Sequence, residues 1–268
     1  MRPALAVLAA VLTFALVPVA AQPPAKSVYL EELTWTEVRD ATKAGRTTII
    51  VPVGGTEQSG PYIALGKHNV RVRLLAGRIA QALGNALVAP VIAYTPEGPA
   101  NAPTGHMRFP GTITVPETVF EQTLESAGRG FRIHGFLDIV FIGDHGGYQK
   151  SLRKSADTLN REWASTKVRA HAIDAYYHAA SEEFAEMMRA KGFTAAEVGN
   201  HAGAADTSLA LAADPSLVRV DRMKAPNMGH ADGIDGDARR SNAEIGREGL
   251  DLIVTRTVDA IRKATARR

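Results

Sequence analysis

The chain has 268 residues, carries 31 basic against 28 acidic side chains for a formal charge of +3, and contains no cysteine. Its basic residues are scattered, with no basic stripe interleaved with aromatics, which argues against nucleic acid as a partner. Without thiols there is no disulfide staple and no thiolate zinc site, so any metal must be held by nitrogen and oxygen.

Residues 1–21 read as an export signal: Arg2, then the apolar run "ALAVLAAVLTFALVPVA" interrupted by Pro18, then Val19 and Ala21 at the positions a signal peptidase reads. The reading predicts cleavage after Ala21 and a periplasmic or secreted protein. A retained anchor is the competing reading, and the absence of a twin-arginine pair favours general secretion. No later segment is apolar enough for long enough to span a bilayer, so no membrane association is expected after cleavage. The remaining stretch, 22–268, is long enough for a single α/β domain with a full core.

Strand and helix signals alternate. "TTIIVPVG" (47–54), "ALVAPVIAY" (86–94), "DIVFIG" (138–143) and "VRAHAID" (168–174) are short β-branched runs, as in strands covered on both faces. Helical patterns lie between and after them. "TWTEVRDATKAG" has Thr34 as N-cap, Glu37 completing a capping box and Gly45 as a stop. "NVRVRLLAGRIAQALG" (69–84) ends on a glycine, and "PETVFEQTLESAGRGFRIHG" (116–135) opens on Pro116. "SEEFAEMMRAKG" and "SNAEIGREGLDLIVTRTVDAIRKATARR" continue the series. The alternation predicts an α/β fold, a mainly parallel central sheet with helices on both sides. Segment 95–115, rich in Pro and Gly, reads as a long ordered loop.

In an open parallel sheet, ligands bind beyond the carboxyl ends of the strands. Thr56-Glu57-Gln58 and Asp144-His145 follow two of the predicted strands directly, which brings them to one edge. Four segments are richer in polar residues and glycine than a packed core: "PVGGTEQSGPYIALGKHN" (52–69), "TGHMRFPGTITVP" (104–116), "GDHGGYQ" (143–149) and "GNHAGAADTSLAL" (199–211). Each candidate has a plainer alternative. Glu57 is also what a loop hydrogen-bonder looks like, Asp206 a helix cap, and His68 the start of the next helix. The two glycines after His145 suit either a tight turn or a metal ligand at a site mouth. Asp144 reads as an orienting group or a cap. Tyr62 and Tyr148 read as pocket walls, and His106 as the pocket-lining member of the remaining histidines, none of which reads as a ligand. No P-loop lysine pattern follows the glycines, which argues against nucleotide binding.

In order and spacing these segments resemble the creatininase (creatinine amidohydrolase) family, and "GIDGDARRSNAEIG" (233–246) resembles a fifth element of it. The resemblance implies a three-layer α/β/α hydrolase, commonly a homohexamer, that opens cyclic amides or related C–N bonds with one or two divalent metals. Carried over by position, it makes Glu57 and His145 metal ligands, His201 a proton-transfer residue, and Asp206 an oxygen ligand one methylene shorter than the family's glutamate. Two positions depart. Ser59 stands where the family has a ligand histidine, and His68 where it has the aspartate that bridges two metals. Gly147 stands where creatininase itself has a further glutamate. Losing the bridging carboxylate favours one metal per chain over two, held by Glu57, His68, His145 and Asp206, with Zn, Mn or Fe suited to such donors. The expected activity is hydrolysis of a cyclic amide or amidine-like small molecule by metal-activated water, with His201 assisting departure of nitrogen. The alternatives are a lactone-opening hydrolase and a non-catalytic periplasmic binding protein on the same fold.

Overall fold

The computed structural model describes residues 27–266, and the segment read as an export signal lies outside the described residues. Thr34 accepts from the Glu37 backbone N–H while the Glu37 carboxylate takes the Thr34 N–H at 2.7 Å, so the capping box starts α1 (Trp35–Lys43). Gly45, at φ +95°, turns the chain out of it. There follow β1 (Thr48–Val53), α2 (Lys67–Leu83), β2 (Ala86–Val88), α3 (Glu117–Ile133), β3 (Asp138–Gly143), α4 (Gln149–Glu162) and β4 (Arg169–Ala172). All strand pairs are parallel, in the order β2-β1-β3-β4. The chain continues through α5 (Ala175–His178), a π-helical turn at Ala179–Glu183, α6 (Phe184–Ala190), α7 (Ala195–Val198), α8 (Ala204–Ala213), α9 (Val220–Met223) and α10 (Ala243–Thr265).

Alternation along the strands divides the core in two. Ile50, Val140 and Ile142 pack with Leu75 and Ile79 of α2, Phe184 of α6, Leu209 of α8 and Ile253 of α10. Their strand neighbours Ile49, Val51, Ile139 and Phe141 pack on the other face with Ala41 of α1, Phe120 and Leu124 of α3 and Leu159 of α4. The result is a three-layer α/β/α sandwich with strands covered on both faces, the reason each reads as an unbroken apolar run. Among the described residues, no helix is long and apolar enough to cross a membrane.

Several boundaries differ from the sequence reading. The second strand pairs only through Val88, because Pro90 has no N–H to give the ladder; the chain rejoins at Ile92, whose N–H reaches the Pro52 carbonyl at 3.0 Å. The helix read from Asn69 begins at Lys67, which puts Lys67 and His68 in its first turn. The helix after Asp144, to which the sequence reading gives no bounds, is α4; its N-cap is Tyr148, not Asp144, and its buried Leu152, Ala156 and Leu159 form a narrow stripe in a polar segment. Segment 95–115 is a loop with one 3-10 turn at Gly105–Arg108.

The two central strands end together, Val53 opposite Gly143. Tyr148 clasps them: its buried hydroxyl donates toward the carbonyls of Val53 and Gly54 and accepts the N–H groups of Asp144 and His145, both at 3.1 Å. Two segments far apart in sequence are thereby held in one register, with Glu57 after one and His145 after the other.

The long helix α10 lies so close to α8 that a Cβ on Gly246 would come within 1.9 Å of the Ser208 carbonyl oxygen, whereas a Cβ on Gly130, in α3, would meet nothing within 4 Å. Gly246→Ala is expected to lower unfolding free energy by about 1–3 kcal/mol. Gly130→Ala is expected to raise it by about 1 kcal/mol, as helix propensity dictates. Denaturant unfolding of both variants checks the pair.

Candidate active site

Beyond the carboxyl ends of β1 and β3 lies a polar pocket of about 420 Å³, lined among others by Glu57, Lys67, His68, His106, His145 and His201. The residues come from the loop after β1, the first turn of α2, the long 95–115 loop, the turn after β3, and the segment before α8. His201 is held by backbone pairing with Asp235, the N–H and C=O of each meeting the other at 3.1 and 2.9 Å. Ala202 follows in the left-handed region at φ +55°. Its carbonyl accepts from Tyr62 and Thr207, and its N–H reaches Asp206 at 3.1 Å, so the strained turn is over-determined.

Glu57 is the hub, and it is fully buried. Its Oε1 lies 2.8 Å from His68 Nε2, 3.7 Å from Lys67 Nζ and 3.8 Å from His201 Nδ1. Its Oε2 faces His145 Nε2 at 3.4 Å and His106 Nε2 at 3.5 Å and has no hydrogen-bond partner. Burial alone would raise the Glu57 carboxyl. The His68 hydrogen bond and the charges of His68 and Lys67 outweigh it and hold the group well below the usual carboxylate range.

His68 bridges two carboxylates. Its Nδ1 lies 2.7 Å from Asp144 and its Nε2 2.8 Å from Glu57, so both ring nitrogens are engaged. Burial and Lys67 push the imidazole toward the neutral form, but the two carboxylates prevail and raise its pKa. Asp144 is further held by Arg71 at 2.8 Å and the Tyr176 hydroxyl at 2.6 Å. Asp206 is paired with Lys67 and with Arg71 Nη1 at 2.9 Å. Lys67, His68 and Arg71 thus set three cationic groups against Glu57, Asp144 and Asp206. Three cations in the first turns of a helix oppose its macrodipole, and the three carboxylates are what make the placement tenable.

Of the residues singled out in the sequence, Glu57, His68, His145, His106 and His201 converge on the pocket. Asp206 also reaches it, with its carboxylate bound to two side-chain cations. Asp144 lies behind His68. Ser59 is buried beneath the loop with no partner for its hydroxyl. Tyr62 packs with Ile63, Leu211 and Ile234 in a separate apolar cluster, and Tyr148 serves the strand ends.

Sequence reasoning passed over Lys67, Arg71 and Glu97. Lys67 and Arg71 stand at i and i+4, a spacing that marks one helix face and was readable had the helix been started two residues earlier. Glu97 carried no signal beyond an acidic residue in a Pro/Gly-rich loop. It is nonetheless buried, its Oε1 accepting from the Thr95 hydroxyl at 2.8 Å, its Oε2 without a partner. Burial first, and the neighbouring Glu57 charge second, raise it to about 7.

The donor set fits a cation. Ligand atoms of Glu57, Glu97 and His145 lie within 4.8 Å of one another, as do those of Glu57, His106 and His201. Burial lowers His145 to about 4 and, with the Lys67 charge, His201 also to about 4, so both rings are neutral near pH 7. His201 Nε2 donates to the Gln58 carbonyl at 2.8 Å, which leaves the Nδ1 lone pair facing Glu57. A lone pair, bare carboxylate oxygens and a polar cavity are what a hydrolytic site requires.

Carboxylates and imidazoles gathered at the carboxyl edge of a three-layer α/β/α sheet define the class of α/β proteins whose strand-end pocket carries donors able to hold a cation. Residues 31–261 match the family described as "Creatininase: Creatinine amidohydrolase". Creatinine amidohydrolase of Pseudomonas putida is 26% identical over 256 residues, 89% of this chain and 97% of that protein. The mycofactocin precursor peptide peptidase of Mycolicibacterium smegmatis is 32% identical over 119 residues, 42% of this chain and 45% of that one. A solved structure described as "Creatininase Mn" superposes with a TM-score of 0.74 at 26% identity, covering 90% of this chain and 99% of that one. One described as "E122Q mutant creatininase, Zn-Zn type" gives 0.73 at 26% identity over the same shares. The chain belongs to the creatininase family of hydrolases.

In chelator-treated protein the folded-state pKa of Glu97, about 7, lies above the ordinary carboxyl value of 4.5. The folded form therefore keeps a proton that the unfolded form has released. The stability this contributes is full below about pH 4.5 and is lost as pH rises through 7. Glu97→Gln removes the titration, so its advantage over wild type should grow across that window to on the order of 2 kcal/mol and then level off. Melting curves at a series of pH values check this, and a constant offset would contradict it.

Proposed function

We propose that this protein is a metal-dependent amidohydrolase that cleaves a C–N bond in a small cyclic amide or amidine-like molecule. The observation that carries the reading is the bare, buried Oε2 of Glu57 facing His145 at 3.4 Å. A buried ionised oxygen without a partner is costly, and a cation between carboxylate and imidazole removes the cost. Glu57 and His145 would hold the metal. His68 and Asp206, also candidates from the sequence, have other work: His68 is the proton-bearing bridge to Asp144, and Asp206 anchors Lys67 and Arg71. A divalent Zn, Mn or Fe ion there would supply Lewis acidity for a substrate carbonyl and for water.

The rest falls to the chain's own residues. His201, with its Nδ1 lone pair toward the pocket, accepts a proton from the attacking water and returns it to the departing nitrogen. The Gln58 carbonyl fixes the tautomer that makes this possible. His106, whose Nδ1 lies 2.9 Å from Gln58 Nε2, directs Nε2 toward the same space. Lys67, ion-paired with Asp206, adds its charge to the field of the pocket wall. The pocket volume suits a small molecule. One metal per chain is favoured, because the side-chain cations Lys67, His68 and Arg71 crowd the position that a second would need. Residues 1–21 direct export, cleavage after Ala21 yields a periplasmic or secreted enzyme, and the mature chain assembles as a homohexamer.

The mature protein, stripped and reloaded with Mn or Zn, is expected to turn over members of a panel of cyclic amides, lactones and short peptides, with cyclic amides preferred. Glu57→Gln and His145→Ala are expected to lose both metal and turnover. His201→Ala should keep its metal while kcat falls about 10²–10⁴-fold. Protein that binds no metal and releases small molecules unchanged would point instead to a binding module. His68→Asp places a third carboxylate beside Glu57 and Asp144. Metal-free H68D should melt below wild type, recover on metal addition, and bind more metal per chain; unchanged metal content would count against the charge argument.

A further inference from the structure

We propose that Glu97 is a ligand of the metal, completing with Glu57 and His145 a three-residue site whose open side faces the pocket. The proposal rests on the metal-dependent reading above and names a ligand from a loop outside the motifs that suggested it.

The Glu97 side chain is 1% exposed, and its carboxylate is oriented rather than loose. Oε1 accepts from the Thr95 hydroxyl at 2.8 Å, and the Glu97 backbone N–H donates to Thr114 Oγ1 at 3.0 Å. These bonds leave Oε2 buried and bare, 3.9 Å from His145 Nδ1. Glu57 Oε2 is bare as well. Glu57 Oε2 faces the Nε2 side of the His145 ring and Glu97 Oε2 the Nδ1 side, where Nδ1 also accepts the Gly147 N–H at 3.2 Å; one ligand atom from each of the three residues lies within 4.8 Å of the others. Like charges so placed repel, and each has been stripped of water, so the arrangement calls for a cation.

The neighbouring fixed cations do not meet the need. Arg71 is spent on Asp144 and Asp206, and Lys67 on Asp206, with a longer approach to the opposite oxygen of Glu57 at 3.7 Å.

The backbone makes room for Glu97 at two glycines. A Cβ on Gly55, which sits at φ +142°, would come within 3.2 Å of Glu97 Oε1 and 3.1 Å of Thr95 Oγ1. A Cβ on Gly147 would lie 2.9 Å from His145 Cε1 and 3.9 Å from the Pro96 carbonyl oxygen. Both positions therefore leave open the side from which the 95–97 segment reaches the imidazole. Two carboxylates and one imidazole form an oxygen–nitrogen set suited to Mn, Fe or Zn, with further positions free for substrate and water.

The test is calorimetric titration of the chelator-treated mature chain with Mn²⁺ or Zn²⁺, with elemental analysis of the loaded protein and melting curves with and without metal. Wild type is expected to bind close to one equivalent and to melt higher when loaded. Glu97→Gln keeps shape and removes charge, and is expected to weaken binding about 100-fold or more. Its metal-free melting temperature should equal or exceed that of wild type, and the metal-induced rise should disappear. Thr95→Val, which leaves Glu97 in place without its orienting hydroxyl, should weaken binding about 10-fold and covers the case in which E97Q does not fold. Wild-type affinity and stoichiometry in either folded variant would overturn the assignment, including the outcome in which E97Q binds metal normally and only turnover falls. Wild type that binds no metal at all would sink the metal-dependent reading itself, a distinguishable result.

Discussion

A carboxylate driven into the end of a buried parallel sheet is the constraint from which the rest of this architecture follows. Glu57 emerges from β1 with no exposed surface, and an ionised group there is tolerated only if its surroundings supply charge or protons. Each neighbour is a response to that demand. His68 donates to it, Lys67 stands beside it, and the imidazoles of His106, His145 and His201 point their edges at it. The charge is also transmitted: through His68 it is tied to Asp144, and through Arg71 to Asp206. The network on the Oε1 side of Glu57 is closed and balanced, while the Oε2 side is left open to the pocket. That asymmetry separates a closed, charge-paired part of the site from a part with an unpartnered oxygen.

The same network explains an oddity of α2. Lys67, His68 and Arg71 at a helix start face the positive end of its dipole, and no side chain caps the turn. Elsewhere this would fray the helix. Here Glu57, Asp144 and Asp206 approach from three other segments and hold the turn together, so the start of the helix rests on the same contacts that build the site. The departure from the family pattern at His68 then has a physical sense. An imidazole with raised pKa supplies, within the polypeptide, positive charge at a position where the resemblance implies a carboxylate between two metals. Membership of the family is secure, while the electrostatics of this pocket are its own.

Backbone conformation does as much as side-chain chemistry. Tyr148 binds the ends of β1 and β3 through main-chain groups of both, and Ala202 is held in a left-handed turn by Tyr62, Thr207 and Asp206. Neither tyrosine touches the pocket, yet without them Glu57, His145 and His201 have no common frame. Residues that read as pocket walls are in fact the joints of the frame.

The sequence by itself determined the layered fold, because strands covered on both faces must be apolar throughout and helices between them must carry a stripe, and both patterns are local. It also located the strand ends where polar residues would meet, and the resemblance of its motifs located Glu57, His145 and His201. It left the helix after Asp144 without bounds, because the α4 stripe of Leu152, Ala156 and Leu159 is too narrow to stand out in a polar segment, and it misplaced the start of α2, which depends on carboxylates from distant segments. Which nitrogens are free, which carboxylates are already paired, and that Glu97 reaches the imidazole of His145 were decided only by the tertiary structure. Such facts depend on distances between segments brought together by folding, and burial sets their electrostatic weight; neither quantity is written in the order of residues along the chain.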